Sequence, residues 1–135
     1  MIKSLAMIPA RLGSQRLKKK NLELYGDLPL IEHAVQRCVA AEVFDAIYIN
    51  SESLIFKEFA ERNNVCFHHR PEHLGNNFAT SEDFVGEFFE NVECDFLYQV
   101  HSITPLLTSK DIRNFVTFCE NNQKFDTVFS CIEDQ

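Results

Sequence analysis

Lys3–Asn21 reads KSLAMIPARLGSQRLKKKN, and its two halves have different characters. Lys3 to Ile8 is a short apolar run of strand length, ended by Pro9. A long polar loop follows, and it gathers Arg11, Arg16, Lys18, Lys19 and Lys20 into ten positions. The chain as a whole is acidic, with 13 Lys+Arg against 20 Asp+Glu and a net charge of −7. Positive charge concentrated just beyond a strand points to a small anion docked locally. Gly13 and Ser14 are small enough for backbone N–H groups to approach that anion, while Arg11, Arg16 and Lys20 supply charge from the sides. The loop therefore reads as a triphosphate cradle, although its composition alone also fits a solvated surface turn. Lys18 and Lys19 read individually as solvated. Neither a G-x-x-x-x-G-K-[ST] string nor a G-x-G-x-x-G string is present.

Outward from this stretch, four more runs have strand character: Ala46 to Asn50, Val65 to His68, Asp95 to Val100 and Asp126 to Cys131. Helix-period stripes lie between them. Ile31, Ala34, Val35, Cys38 and Val39 fall on one face, as do Ile55, Phe56, Phe59 and Ala60. Phe84, Val85, Phe88, Phe89 and Val92 form a third stripe, and Ile112, Phe115, Val116 and Cys119 a fourth. Thr80 and Thr108 each precede an Asp by three residues, Asp83 and Asp111, a capping-box spacing at a helix start. Strict β-α alternation predicts an α/β fold, a Rossmann-like three-layer α/β/α arrangement on a mainly parallel sheet with right-handed crossovers. Ligands of such sheets bind outside the carboxyl ends of the strands, where strand order reverses. The loops after the first four strands are the ones to search.

A length of 135 residues fits a single domain spanning 1–135, with no internal repeat, low-complexity segment or linker. Its 45% hydrophobic content and 13 Phe exclude a disordered tail. The acidic balance argues against nucleic acid and anionic membranes as partners, and the basic loop lacks the interleaved aromatic residues of a stacking platform. The opening residues are too short and too soon interrupted by Pro9 and Arg11 to form a secretory segment, so a cytoplasmic location is expected. Cys38, Cys66, Cys94, Cys119 and Cys131 contain no C-x-x-C pair and read as buried reduced thiols. His68 and His69, if they continue a strand, point to opposite faces and cannot chelate one metal together.

IPARLGSQRLKKKN, Ile8–Asn21, resembles the opening signature of the sugar-acid cytidylyltransferases, above all the acylneuraminate (CMP-sialic acid synthetase) family. Arg11, Ser14, Lys20 and Asn21 match that signature, and Arg16 also fits the S-x-R-L-x-x-K of the related deoxyoctulosonate enzymes. FDAIYINSES resembles the family's second strand and its S-T-D turn, with Asn50-Ser51-Glu52 departing from it. HHRPEHLGNNFATS keeps Arg70, Pro71, Leu74, Ala79 and Ser81 of the next segment, with Asn77 where Asp is usual. VHSITPLLTSKDI keeps Thr104, Pro105, Leu106, Thr108, Asp111 and Ile112, with His101 where Gln is common.

The resemblance implies a nucleotidyltransferase that moves CMP from CTP to an acylneuraminate-type keto-sugar acid and releases pyrophosphate. It implies catalytic roles for Arg11, Arg16 and Lys20, with Arg11, Gly13, Ser14, Lys20, Asn21, Arg70 and Ser81 binding the nucleotide. His101 and Thr104 would contact the acceptor sugar, His101 through a hydrogen bond or by assisting proton removal. Mg2+ is the cofactor and a homodimer the assembly that the family leads one to expect. Relatives carry a later part with a dimerisation arm, much of the sugar pocket and a pair of magnesium-binding aspartates. The 135 residues end at SCIEDQ without it, which would weaken such a dimer, and neither Glu133 nor Asp134 has the matching context of a metal ligand. Two alternatives stay open: a 3-deoxyoctulosonate-type cytidylyltransferase, and a truncated, non-catalytic nucleotide- or sugar-binding domain.

Overall fold

The computed structural model describes residues 3–10, 22, 24–71, 81–101 and 108–122. Four strands, β1 (Ser4–Pro9), β4 (Ala46–Ser51), β5 (Cys66–His69) and β6 (Phe96–Gln99), form a parallel sheet in the order β5-β4-β1-β6. The strands expected from the sequence at the first four positions are thus present, each within a residue or two of its expected limits. The fifth, Asp126 to Cys131, lies outside the described residues.

β1 is central because nearly every residue on both its faces is buried, which is what an uninterrupted apolar run can tolerate and an alternating one cannot. Two aspartates from neighbouring loops fix its start: Lys3 donates its N–H to Asp95 Oδ2 at 2.7 Å, and Ser4 to Asp45 Oδ2 at 2.7 Å. Helices α1 (Leu30–Ala41), α2 (Ile55–Arg62) and α4 (Ser109–Asn121) cover one face, packing Ile31, Val35, Phe56, Ala60, Ile112 and Val116 against Ala6, Ile8 and Ile49. Helix α3 (Ser81–Asn91) covers the other, with Phe88 against Leu5 and Met7. The result is the three-layer arrangement expected from the alternation. Going from β1 to β4 to β5 the chain moves one way with its helices on one face. From β5 to β6 it moves back past β1 with α3 on the opposite face. Right-handed crossovers require that change of face when the direction reverses.

The apolar stripes are narrower than the sequence indicates. Val39, Ile55 and Phe89 are exposed, while Cys38, Phe56 and Phe88 beside them are buried. A neighbour in sequence is turned about 100° around the helix axis, enough to carry it off a flat sheet. Thr108 makes the expected capping box, accepting from Asp111 N at 3.1 Å while its own N–H donates to Asp111 Oδ2 at 3.1 Å. Thr80 lies outside the described residues.

Two strands were not foreseen: β2 (Leu24–Tyr25) and β3 (Leu28–Pro29) form a small antiparallel hairpin between the basic loop and α1. Its two-residue turn, Gly26-Asp27, has a positive φ (70°) at Gly26 only, the pattern of a type II′ turn. The reading of the cysteines as buried also needs correcting. Cys38 and Cys119 are buried, Cys94 is half-buried, but Cys66 is exposed on β5, an edge strand of the described sheet. Cys131 lies outside the described residues.

Candidate functional site

All four parallel strands end at the same edge of the sheet, and backbone bonds carry the ladder one residue past each of three of them. Ala10 N donates to Asn50 O at 2.9 Å, Arg70 N to Ser51 O at 2.9 Å and Val100 N to Met7 O at 2.9 Å. The residues at which the chain leaves the sheet are therefore held as firmly as the strands. Connectivity reverses between β1 and β6, so the switch point where such sheets bind ligands lies there.

Of the residues singled out in the sequence, Arg70 and His101 are fully described. Arg70 follows β5 and is buried to 2% exposure. His101 follows β6, two residues after Gln99. β5 and β6 stand three strand spacings apart, roughly 14 Å at about 4.8 Å each. β1 ends between them, so the chain entering the basic loop leaves the sheet with Arg70 on one flank and His101 on the other. Ser81 is the first residue of α3. Arg11, Gly13, Ser14, Arg16, Lys20, Asn21 and Thr104 lie outside the described residues.

The turn after β4, which departs from S-T-D, builds its own support. Ser53 N donates to Ser51 Oγ at 3.0 Å, and Ile55 N to Ser53 Oγ at 3.3 Å, leading into α2. His69 Nε2 donates to Glu52 O at 2.9 Å. On the opposite face His68 Nε2 meets Glu87 Oε1 of α3 at 2.8 Å, and Glu87 Oε2 also accepts from Asn91 Nδ2 at 2.8 Å. The two adjacent histidines thus diverge as expected, and each has a structural partner.

A polar row on the α3 face of this edge was not recognised in the sequence as part of a site. Asn50, fully buried, donates from Nδ2 to Met7 Sδ at 3.1 Å, and its Oδ1 has no hydrogen-bond partner among the described residues. In register with Asn50 is His68, and in register with Met7 is Gln99. Gln99 Nε2 lies 3.1 Å from His101 Nε2. The available signal was that the apolar runs AIYIN and FLYQ both end on an amide side chain. Although His101 is exposed by surface, desolvation of its ring holds its pKa below the ordinary value of 6.5 and favours the neutral imidazole.

Among the described residues no three His, Cys, Asp or Glu side chains stand together as metal ligands. These residues do not fit a magnesium site. No helix among them is long and apolar enough to cross a membrane.

Comparison with known proteins places this geometry. Residues 5–135 match the family model described as Cytidylyltransferase. The chain is 29% identical over 131 residues to an N-acylneuraminate cytidylyltransferase of Escherichia coli, an alignment covering 95% of this chain and 31% of that one. It is 25% identical over 134 residues to a Helicobacter pylori protein named pseudaminic acid cytidylyltransferase and UDP-2,4-diacetamido-2,4,6-trideoxy-beta-L-altropyranose hydrolase, covering 96% of this chain and 26% of the relative. The chain thus spans about a quarter to a third of the length of these curated relatives. Its fold is similar to that of CMP:2-keto-3-deoxy-manno-octonic acid synthetase complexed with CTP, with a TM-score of 0.77, 18% identity, and coverage of 90% of this chain and 48% of that one. A cytidylyltransferase from Leptospira borgpetersenii is similar too, with a TM-score of 0.71, 21% identity, and coverage of 91% and 51%. With the family model matching residues 5–135, from β1 onward and over the whole described sheet, the chain belongs to the cytidylyltransferase family.

Proposed function

We propose that this chain is the nucleotide-binding part of a CTP-dependent sugar-acid cytidylyltransferase, with an acylneuraminate-type keto-sugar acid as acceptor. The observation that carries the reading is the exit of β1 at the switch point, flanked by Arg70 and His101, into the most basic stretch of an acidic chain. Membership of the family and the acylneuraminate and pseudaminic acid relatives support it.

In the reaction the acceptor's anomeric hydroxyl oxygen attacks the α-phosphorus of CTP. A new P–O bond forms, the bond from that phosphorus to the β-phosphoryl oxygen breaks, and pyrophosphate leaves with the electron pair while the hydroxyl proton passes to solvent. Negative charge builds on the phosphoryl oxygens, so the protein contributes chiefly position and fixed positive charge. Arg11, Arg16 and Lys20 provide that charge, and the backbone at Gly13 and Ser14 cradles the phosphates. Asn21, Arg70 and Ser81 hold the nucleotide, the latter two near its cytidine end. His101 and Thr104 meet the acceptor. Mg2+ is the ion, and a homodimer the assembly, that the family leads one to expect.

A deoxyoctulosonate-type acceptor is the second reading, favoured by Arg16 in its S-x-R-L-x-x-K context. Against it, Ser102-Ile103-Thr104-Pro105 contains no acidic residue where those relatives have a G-D-E-P-like turn.

Calorimetric titration of CTP against UTP, with magnesium present, is the direct test. Binding selective for CTP supports the reading and justifies an acceptor screen for pyrophosphate release. Equal binding of UTP overturns the cytidine assignment, and no binding by a folded chain overturns the reading for these 135 residues. Arg11→Ala is expected to weaken CTP binding by about 1.5–3 kcal/mol, the scale of a charge-assisted hydrogen bond; unchanged affinity in a folded variant removes Arg11 from the cradle.

A further inference from the structure

We propose that Gln99 is a positioning residue: its side-chain amide donates to Nε2 of His101 and holds the imidazole as the Nδ1–H tautomer. This rests on the reading of His101 as a contact to the acceptor sugar acid. Gln99 is the last residue of β6 and is held in register with Met7, and Val100 continues the ladder to Met7 O at 2.9 Å. His101 follows on this fixed backbone, two residues on from Gln99 and therefore on the same side of the extended chain. The two side-chain nitrogens meet at 3.1 Å. An amide nitrogen has only hydrogens to offer, so the ring nitrogen facing it must be bare and the ring proton must lie on Nδ1.

The same contact opposes a charged ring, because a protonated Nε2 would direct N–H at N–H. Desolvation of His101 acts in the same direction, lowering its pKa. A ring with Nε2 occupied and Nδ1 protonated has no lone pair left to accept the proton of an attacking hydroxyl. His101 is then a hydrogen-bond donor toward an oxygen acceptor, the class to which a sugar acid's carboxylate and carbonyl oxygens belong, and not a general base. Of the two roles open to this histidine, Gln99 selects the first. The proton lost on attack leaves through water.

The imidazole nitrogens of the 15N-labelled chain report the tautomer directly by long-range proton–nitrogen correlation, without substrate. His101 is assigned among the five histidines by the resonance that disappears in His101→Gln. The expected result is a bare Nε2 and a protonated Nδ1 in the parent chain. Gln99→Glu should invert the tautomer, since a carboxylate only accepts, and raise the titration midpoint by roughly one unit. Gln99→Leu should leave a tautomer mixture. A protonated Nε2 in the parent chain means that the amide presents its oxygen, and overturns the proposal. So does a tautomer unchanged in both variants. The ring spectrum and the CTP titration fail independently: loss of CTP binding with the tautomer intact removes the functional reading, whereas an inverted tautomer with CTP binding intact removes only the role given to Gln99.

Discussion

Phe88 is the residue on which the α3 layer depends. It is fully buried, with its ring edge-on to Tyr48 of β4 at 5.2 Å and to His68 of β5 at 5.2 Å. Phe89, next to it, is 47% exposed. Aromatic rings meeting edge to face bring the positive rim of one to the negative face of the other, so the cluster contributes beyond its buried area. Phe88→Ala should destabilise the chain by about 3–5 kcal/mol in urea unfolding, the usual cost of removing a buried aromatic ring. A value below 1 kcal/mol would show that α3 is not anchored through this side chain. Elsewhere, burial has a chemical consequence: Cys38, 1% exposed in α1, has its thiol pKa pushed up to about 12 by desolvation, so it remains a protonated apolar side chain at neutral pH. Glu32 shows how the same helix accommodates a buried carboxylate, pairing with Arg62 Nε at 3.0 Å and accepting from Asn63 Nδ2 at 3.2 Å. Arg62 is largely exposed, so this pair ties α1 to α2 more through geometry than through strong electrostatics.

At the scale of elements, the local signals divide into those set by backbone chemistry and those set by neighbours. The capping box at Thr108 depends only on residues three apart, and it forms as the spacing indicates. The hairpin β2–β3 depends on Gly26, which holds φ at 70° in a turn of two residues. An added Cβ there meets nothing within 4 Å, so steric contact with neighbours does not enter. The cost of Gly26→Ala is then the positive-φ backbone alone, about 1–2 kcal/mol, measurable by thermal or urea unfolding. A neutral or stabilising effect would mean that the turn relaxes to another type. Strand burial, by contrast, is not set by the apolar run alone, nor by having a neighbour on each side. β1 and β4 are both apolar runs, yet β1 is buried almost throughout whereas β4 is buried chiefly over its last three residues.

For the whole molecule, the pH dependence of stability follows from which groups folding desolvates. His101 has a folded pKa below its ordinary value of 6.5, so in the window below 6.5 the unfolded chain binds more protons than the folded one. Its contribution to stability is present above that pH and is lost as pH falls through the folded value. Asp111, lowered below 3.8 by its bonds to Thr108, acts in the same sense at lower pH. Stability measured by urea unfolding should decline from pH 7 toward pH 5, and His101→Gln should flatten that decline. An equal slope in the variant would assign the titration to another group. The α/β class, the four parallel strands, the capping box at Thr108 and the divergence of His68 and His69 were legible in the sequence, because each follows from periods of 2 and 3.6 and from contacts a few residues apart. Basic charge after β1 was legible too, since a local excess of charge needs no fold to be seen. The strand order β5-β4-β1-β6 was not legible, nor was the hairpin's pairing, the exposure of Cys66, or the meeting of Gln99 with His101 beside the exit of β1. Those depend on which elements become neighbours in space, a choice made by the burial of whole faces and the handedness of crossovers. The sequence by itself thus determined the elements and the charge that an anion would meet. Only the tertiary structure decided that β1 ends at a switch point between Arg70 and His101, because no local rule specifies on which side of β1 the returning strand must pair.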